Sequence, residues 1–577
     1  MSAKEPSHPL VAVGLCLAAL SPLVWNSSLH AALTLPKLAA AVAGLATCAV
    51  GLAATGGRGI SAAVDAPLLA CVAVLAASAQ ASLDPWYSWV GSYNSYACGA
   101  WPMAVAAALL ACSCRGLDSP GRRSAVTWTV VVVASLVGLC AASQSLGWDP
   151  LPAGVSSVWE GRAYSTVGSP SSLGTLEAAV APLALRLAVT SGGSRLIGAA
   201  ALAAVLGGVL ASGSRGAMLA AAAGCAAYLI LAAKLRGLAA TRGRILAAVA
   251  AVALVAAAAG YQLSRRSLTS RSDAQRVELA RAAVTTWLDH PWLGSGPATF
   301  ELGFRRHRSA GYQEISGPAQ YEENSHCDLT QALATTGLLG LAAYLWLLAT
   351  LAVSAAGALR DPGSRDEAAS VAAGLLALLV AAKFSPVPIE VTVTAAVIAG
   401  ILVRPVGFEG SKLATPIMIL AAASVFLASS LISADSRFKK SREARSTGDS
   451  EAAATRLGEA IAGNPWEVTY SVAMVNALGE AAEVTPPGPW RTRLRAHAAQ
   501  VARNAVIRHP NLSTAHYALG HALTEAARDG TGDISDGERE LDAALTLDPH
   551  HAPLVAARKR AALVRKVLSA SRDGRRT

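Results

Sequence analysis

Apolar windows of membrane length recur from Leu10 to Leu431, each separated from the next mostly by a short polar turn. About 20 apolar residues in a helix cross a hydrocarbon core of roughly 30 Å. The pattern predicts spans over 10–29, 36–54, 66–83, 97–113, 125–146, 171–190, 196–211, 217–233, 245–263, 335–358, 368–387, 391–403 and 413–433. Ala, Leu, Val and Gly fill these windows without alternation, which predicts helices; a β-barrel would need short alternating segments. The expected fold class is all-α, a polytopic membrane protein of about 12 to 13 transmembrane helices. Two stretches depart from the pattern: a long polar segment over 264–336, and a charged tail from 434 onward with small apolar residues at helical spacing. The predicted organisation is a membrane domain over 1–411 containing a large external loop at 264–334, an additional span over 412–433, and a soluble helical domain over 434–577.

Composition agrees. Charged residues make up 15% of the chain and apolar ones 53%, with a mean hydropathy of +0.42, against a soluble norm of roughly 25% charged. The net charge of +11 is explained by topology rather than by nucleic-acid binding, since no compact basic and aromatic patch accompanies it. With Met1 on the cytoplasmic side, Lys4, Arg58, Arg115, Arg122, Arg123, Arg195, Lys234, Arg236, Arg242, Arg244, Arg360, Arg365, Arg404 and Lys412 all fall on that side. Only Lys37, Arg162 and Arg215 stand out in the opposite short loops. The long polar segment and the tail are thereby assigned to the exterior, which requires an odd number of spans. The nine cysteines sit chiefly within spans and show neither a disulfide framework nor a zinc spacing, so they read as core packing. The first apolar run has only Lys4 as a basic flank and further spans follow, so it is expected to remain in place.

The tail reads as helix pairs closing on Asn-Pro, His-Pro or Asp-Pro turns. Tyr517, Leu519, Gly520, Ala543, Ala544 and Pro549 stand at positions similar to those of tetratricopeptide repeats. A stack of such repeats would offer a concave groove to an envelope protein; a generic helical bundle is the simpler alternative.

Ionisable groups near membrane depth are costly and therefore usually paired or functional, and four places combine them with turns. The sequence SGSRG, residues 212–216, interrupts two spans and carries Arg215; a guanidinium suits pyrophosphate because its planar fork donates two hydrogen bonds while staying charged. Residues 161–174 hold Arg162 in a Gly, Ser and Pro cluster. Residues 270–300 place Arg276, Leu279 and Ala283 on one face of an amphipathic helix that ends near His290-Pro291, before a Leu-Gly-Ser-Gly-Pro turn. Residues 324–345 put His326 ahead of the helix entering the tenth span. Snorkelling, solvent-facing or capping roles would explain each residue singly, but Arg162, Arg215, Arg276 and His326 all fall on the outer side of a topology derived from charge bias alone.

At these residues the chain resembles the O-antigen ligase and O-antigen polymerase superfamily of bacterial membrane glycosyltransferases. The resemblance rests on a turn similar to R-x-x-S-T-x-G-x-P from Arg162 to Pro170, the S-G-S-R-G break, Arg276 ahead of P-x-L-G-x-G-P from Pro291 to Pro297, and His326 ahead of G-L-L-G from Gly337 to Gly340. Cys327 and the Gly168-Ser-Pro turn depart from the family's usual residues. The resemblance implies a glycan donor linked to undecaprenyl pyrophosphate and an acceptor hydroxyl on lipid A core or another envelope molecule. It implies an inner-membrane enzyme acting on the periplasmic side, without cofactor. Arg215, Arg276 and Arg162 would bind the pyrophosphate, and His326 would be the general base, since imidazole with its ordinary pKa near about 6.5 is largely neutral at pH 7. Inversion at the anomeric carbon and independence of metal are expected, the latter qualified by Asp273, Asp328, Glu322 and Glu323 as possible ligands. Competing readings are a repeat-unit polymerase, a protein O-oligosaccharyltransferase, a scaffold, and a polysaccharide transporter using Arg186, Glu177, Lys383 and Glu390.

Overall fold

The structure, a computed structural model, describes residues 8–54, 63–93, 95–96, 98–151, 159, 161–190, 195–236, 271–317, 321–403 and 413–573. Among them it is all-α, with no strand. Every predicted span but the ninth, 245–263, coincides with a helix; that one lies outside the described residues, as do 264–270 and the loops holding Lys4, Arg58, Arg242, Arg244, Arg404 and Lys412. Among the described residues six helices are long and apolar enough to cross a membrane: Leu35–Ala54, Pro120–Ser145, Pro170–Thr190, Arg215–Leu235, Asp328–Ala358 and Ala414–Ser446. On their outer faces Leu139, Val353 and Phe426 are 56%, 74% and 78% exposed, a pattern suited to hydrocarbon and unfavourable in water.

Several spans are shorter than the hydropathy pattern suggested. The first ends as an α-helix at Ala19 and passes through a 3-10 turn, Ser21–Leu23, because Pro22 cannot donate a helical hydrogen bond. The eleventh stops at Ala381, and Ser385-Pro386-Val387-Pro388 turns the chain where the apolar window had run on to 387. Lys37, read as a loop cation, sits in the first turn of Leu35–Ala54 and is 1% exposed. It is placed there by its ion pair with Glu390 at 3.1 Å and its bond to the Val167 carbonyl at 2.6 Å.

Ala414–Ser446 carries the last apolar window and the first charged residues of the tail as one continuous helix. The following helices, Ser450–Gly463 through Ala552–Asp573, pack as successive antiparallel neighbours. They do not hang free. His509 bonds Asp84 at 2.6 Å, Asn511 bonds the Leu83 carbonyl, Asp435 accepts from the His30 and Ala31 amides and from Tyr93, and Arg308 bonds Asp548 at 2.7 Å. These partners come from loops that the charge bias had assigned to one side of the membrane.

Candidate active site

The corner formed by Ala382, Lys383 and Phe384 at the end of Arg365–Ala381 gathers the four sequence-selected segments. Ser214 caps the helix Arg215–Arg236, its hydroxyl accepting the Ala217 amide at 3.4 Å. Arg215 thus occupies the first helical position, where the helix dipole disfavours a cation by about 0.3–1 kcal/mol; an anion bound there would reverse that penalty. The next residue, Gly216, lies so close to the corner that a Cβ there would stand 2.7 Å from the Phe384 Cβ. Arg162 Nε donates to the Ser212 carbonyl at 2.9 Å, and the Ala163 amide donates to Ala211 at 3.2 Å, so the first and second motifs form one unit. Arg276 reaches the corner from the helix Arg271–Asp289. Its Cζ lies 5.7 Å from the centre of the Phe384 ring, and its Nη2 stands 3.4 Å from the Phe384 carbonyl. Leu279 and Ala283, on the same face of Arg271–Asp289, are buried.

His326 reaches this corner through its own chain. Two residues on, the Asp328 amide donates to the Ala382 carbonyl at 3.0 Å, and its carboxylate takes Lys383 Nζ at 2.5 Å and the Tyr344 hydroxyl at 2.8 Å. His326 has φ +56, a left-handed conformation that costs a non-glycine residue about 1–3 kcal/mol. The Asn324 side chain holds it by accepting the His326 amide at 3.1 Å. Its imidazole stays accessible, 29% exposed, with Nε2 3.5 Å from Glu322, whose other oxygen accepts from the Tyr312 hydroxyl at 3.1 Å. A carboxylate beside the imidazole and itself anchored is the arrangement that orients a general base. Burial above all, with Glu301 nearby, pushes the carboxyl of Glu323 up to about 7.

The two motifs flanking His326 in the chain fit together through their backbones. Leu338 and Leu339 amides donate to the Pro291 and Trp292 carbonyls, and the Ser295 and Gly296 amides donate to Ala334 and Thr335, at 2.9 to 3.2 Å. The helix Asp328–Ala358 breaks at Gly337, with φ 65 and ψ −164. A Cβ at Gly337 would stand 2.4 Å from the Trp292 carbonyl carbon, and one at Gly294 2.3 Å from that of Thr335.

Sequence reasoning missed the corner itself. Lys383 had been weighed only as an intramembrane charge of a transporter, and Phe384 was absorbed into a span; the Pro-rich break after them was the available signal. Asp328 and Glu322 had been considered only as possible metal ligands. Among the described residues no three His, Cys, Asp or Glu side chains group as a metal site. The other charges of the transporter reading are mostly paired: Glu390 with Lys37, and Arg186 3.9 Å from Glu367. Glu177 is buried with neither oxygen bonded.

A helical bundle with membrane-length apolar helices, which collects cationic segments and the segment of an accessible histidine at one corner, defines a polytopic membrane protein. Residues 200–345 match the family model described as O-antigen ligase, and that segment holds Arg215, Arg276, the two interlocked motifs and His326. Arg162 lies before it. The family indicates a bacterial membrane glycosyltransferase of the ligase or polymerase type. No curated protein matches the chain.

Proposed function

We propose that the chain transfers a glycan from undecaprenyl pyrophosphate to an acceptor hydroxyl on the periplasmic side of the inner membrane, as an O-antigen ligase. The observation that carries this reading is the convergence of the Arg162, Arg215, Arg276 and His326 segments on Ala382, Lys383 and Phe384. The acceptor oxygen attacks the anomeric carbon, the bond from that carbon to the pyrophosphate oxygen breaks, and the lipid pyrophosphate departs as an anion. His326 takes the hydroxyl proton. One-step displacement inverts the anomeric centre.

The leaving group needs charge stabilisation more than protonation, which is why arginines suit it. One well-placed donor contributes on the order of 3 to 4 kcal/mol in a water-poor site. Arg215 and Arg276 hold the pyrophosphate and Arg162 assists, while Glu322 orients the imidazole. The reaction requires no cofactor and no metal; transfer in washed membranes is expected to survive a chelator, and its loss would overturn that part.

The decisive experiment is substitution with expression controls. His326→Ala and Arg276→Ala chains that reach the membrane are expected to lose transfer by about 100-fold or more, and near-normal transfer would refute the assignment. Deletion of the gene separates ligase from polymerase: long lipid-linked polymer accumulates for a ligase, single repeats for a polymerase.

A further inference from the structure

The loop that bears the proposed base is held at both ends. Its downstream end is fixed to the Ala382, Lys383 and Phe384 corner through Asp328. Its upstream end is fixed by the tail: Asp548, just after the helix Ile534–Leu547 and wholly buried, accepts Arg308 Nε and Nη2 on one oxygen at 3.2 and 2.7 Å and faces Arg305 with the other at 3.5 Å. Arg305 also bonds Glu301, and its guanidinium stacks 4.3 Å over the Tyr321 ring. Arg308 precedes the short helix Ala310–Ser316, from which Tyr312 reaches Glu322 beside His326. Tyr321 is the residue before Glu322. The Tyr312 anchor of the Glu322 carboxylate and the Tyr321 residue before it therefore trace back within a few residues to Arg308 and Arg305, which face the one tail carboxylate, Arg305 sharing its charge with Glu301.

We propose that the tail is a positioning element of the transferase site, in which Asp548, through Arg305 and Arg308, sets the segments 309–317 and 321–326 so that Glu322 stays against His326. This rests on the reading of His326 as the general base. A buried ion pair must be matched at both ends, because removing one partner strands the other charge away from water. Covalent contact with substrate is not required of Asp548. Placement of the loop is its whole role, and misplacement by an ångström lowers a rate steeply.

The test uses the full chain in membranes with a lipid-linked donor. Asp548→Asn is expected to lower kcat about 10- to 100-fold with the KM for donor unchanged, and to raise amide hydrogen exchange over 309–326 while leaving the helix Pro170–Thr190 protected. Arg308→Lys keeps the charge facing Asp548 but loses the planar fork, so it folds where Asp548→Asn fails to accumulate; it is expected to give the same loop exchange change with a smaller fall in kcat. Wild-type kcat and wild-type exchange over 309–326 in Arg308→Lys would overturn the proposal. So would a fall in kcat with the loop's exchange unchanged. Failure of the base reading shows elsewhere, as undiminished transfer by His326→Ala, and leaves the exchange result to be judged on its own.

Discussion

At the scale of single residues, His326 combines two properties that a packing histidine has no need of: an accessible imidazole beside an anchored carboxylate, and a left-handed backbone. Asparagine tolerates that conformation better than most side chains. His326→Asn is therefore the cleaner probe of chemistry, expected to keep the thermal midpoint of the wild type in detergent while transfer falls roughly 100- to 10,000-fold. The buried Lys37 is the converse case, a charge whose partners among the described residues are structural: Glu390 and the Val167 carbonyl in the Arg162-to-Pro170 turn. Lys37→Met would leave Glu390 uncompensated and is expected to cost about 3–5 kcal/mol, read as lost membrane abundance; the double change Lys37→Met, Glu390→Leu should recover most of it. Equal abundance of the single and double variants would show that the pair carries no such constraint.

At the scale of elements, the helix Asp328–Ala358 shows how two short glycine-bearing motifs fit each other. Its break at Gly337 admits the Pro291-to-Pro297 turn against the opened backbone, and leaves 338–358 to run roughly 30 Å as straight helix. Gly337→Ala forces a Cβ onto the Trp292 carbonyl in a region of backbone space that glycine alone occupies readily. We expect it to lower the melting temperature in detergent by several degrees or to prevent accumulation. Gly357→Ala on the same helix meets nothing within 4 Å and should be neutral or slightly stabilising, by up to about 1 kcal/mol. Matched melting temperatures for the two would contradict the interlock.

At the scale of the whole molecule, the tail is fastened to the membrane body by buried polar contacts as well as by the apolar cluster of Tyr87, Leu302, Val468, Ala505, Leu512 and Ala515. His509 lies within that fastening. Burial opposes its charge, but the hydrogen bond and the charge of Asp84, with the Trp466 carbonyl, outweigh it and hold the imidazole pKa above its ordinary value. Docking therefore gains most while His509 is protonated, a gain complete below about pH 6.5 and lost as pH rises through the raised value. Burial also pushes the neighbouring Glu467 carboxyl up to about 7, so its ionisation weakens docking as pH rises from the ordinary carboxylate range to about 7, mostly below the histidine's window. Amide protection factors around Asp84 and Leu512, corrected for intrinsic base-catalysed exchange, should accordingly fall as pH rises above about 6.5 and change less in His509→Gln; protection that rises with pH would show the sign to be wrong.

What the sequence by itself determined was everything set by local and one-dimensional rules: the all-α class, since membrane-length apolar windows can satisfy their backbone groups only as helices, most span positions, and the residues worth suspecting. It also marked Pro291 to Pro297 and Gly337 to Gly340 as motifs, because their glycines and prolines are punctuation that can be read residue by residue. Only the tertiary structure decided that those two motifs clasp each other, that Lys37 belongs with Glu390 and Asp548 with Arg308, and that Lys383 and Phe384 lie where Gly216, Arg276 and Asp328 arrive. Those facts depend on pairings between residues up to hundreds of positions apart. A hydropathy window averages over its neighbours in the chain and carries no record of which distant group will arrive to neutralise a buried charge.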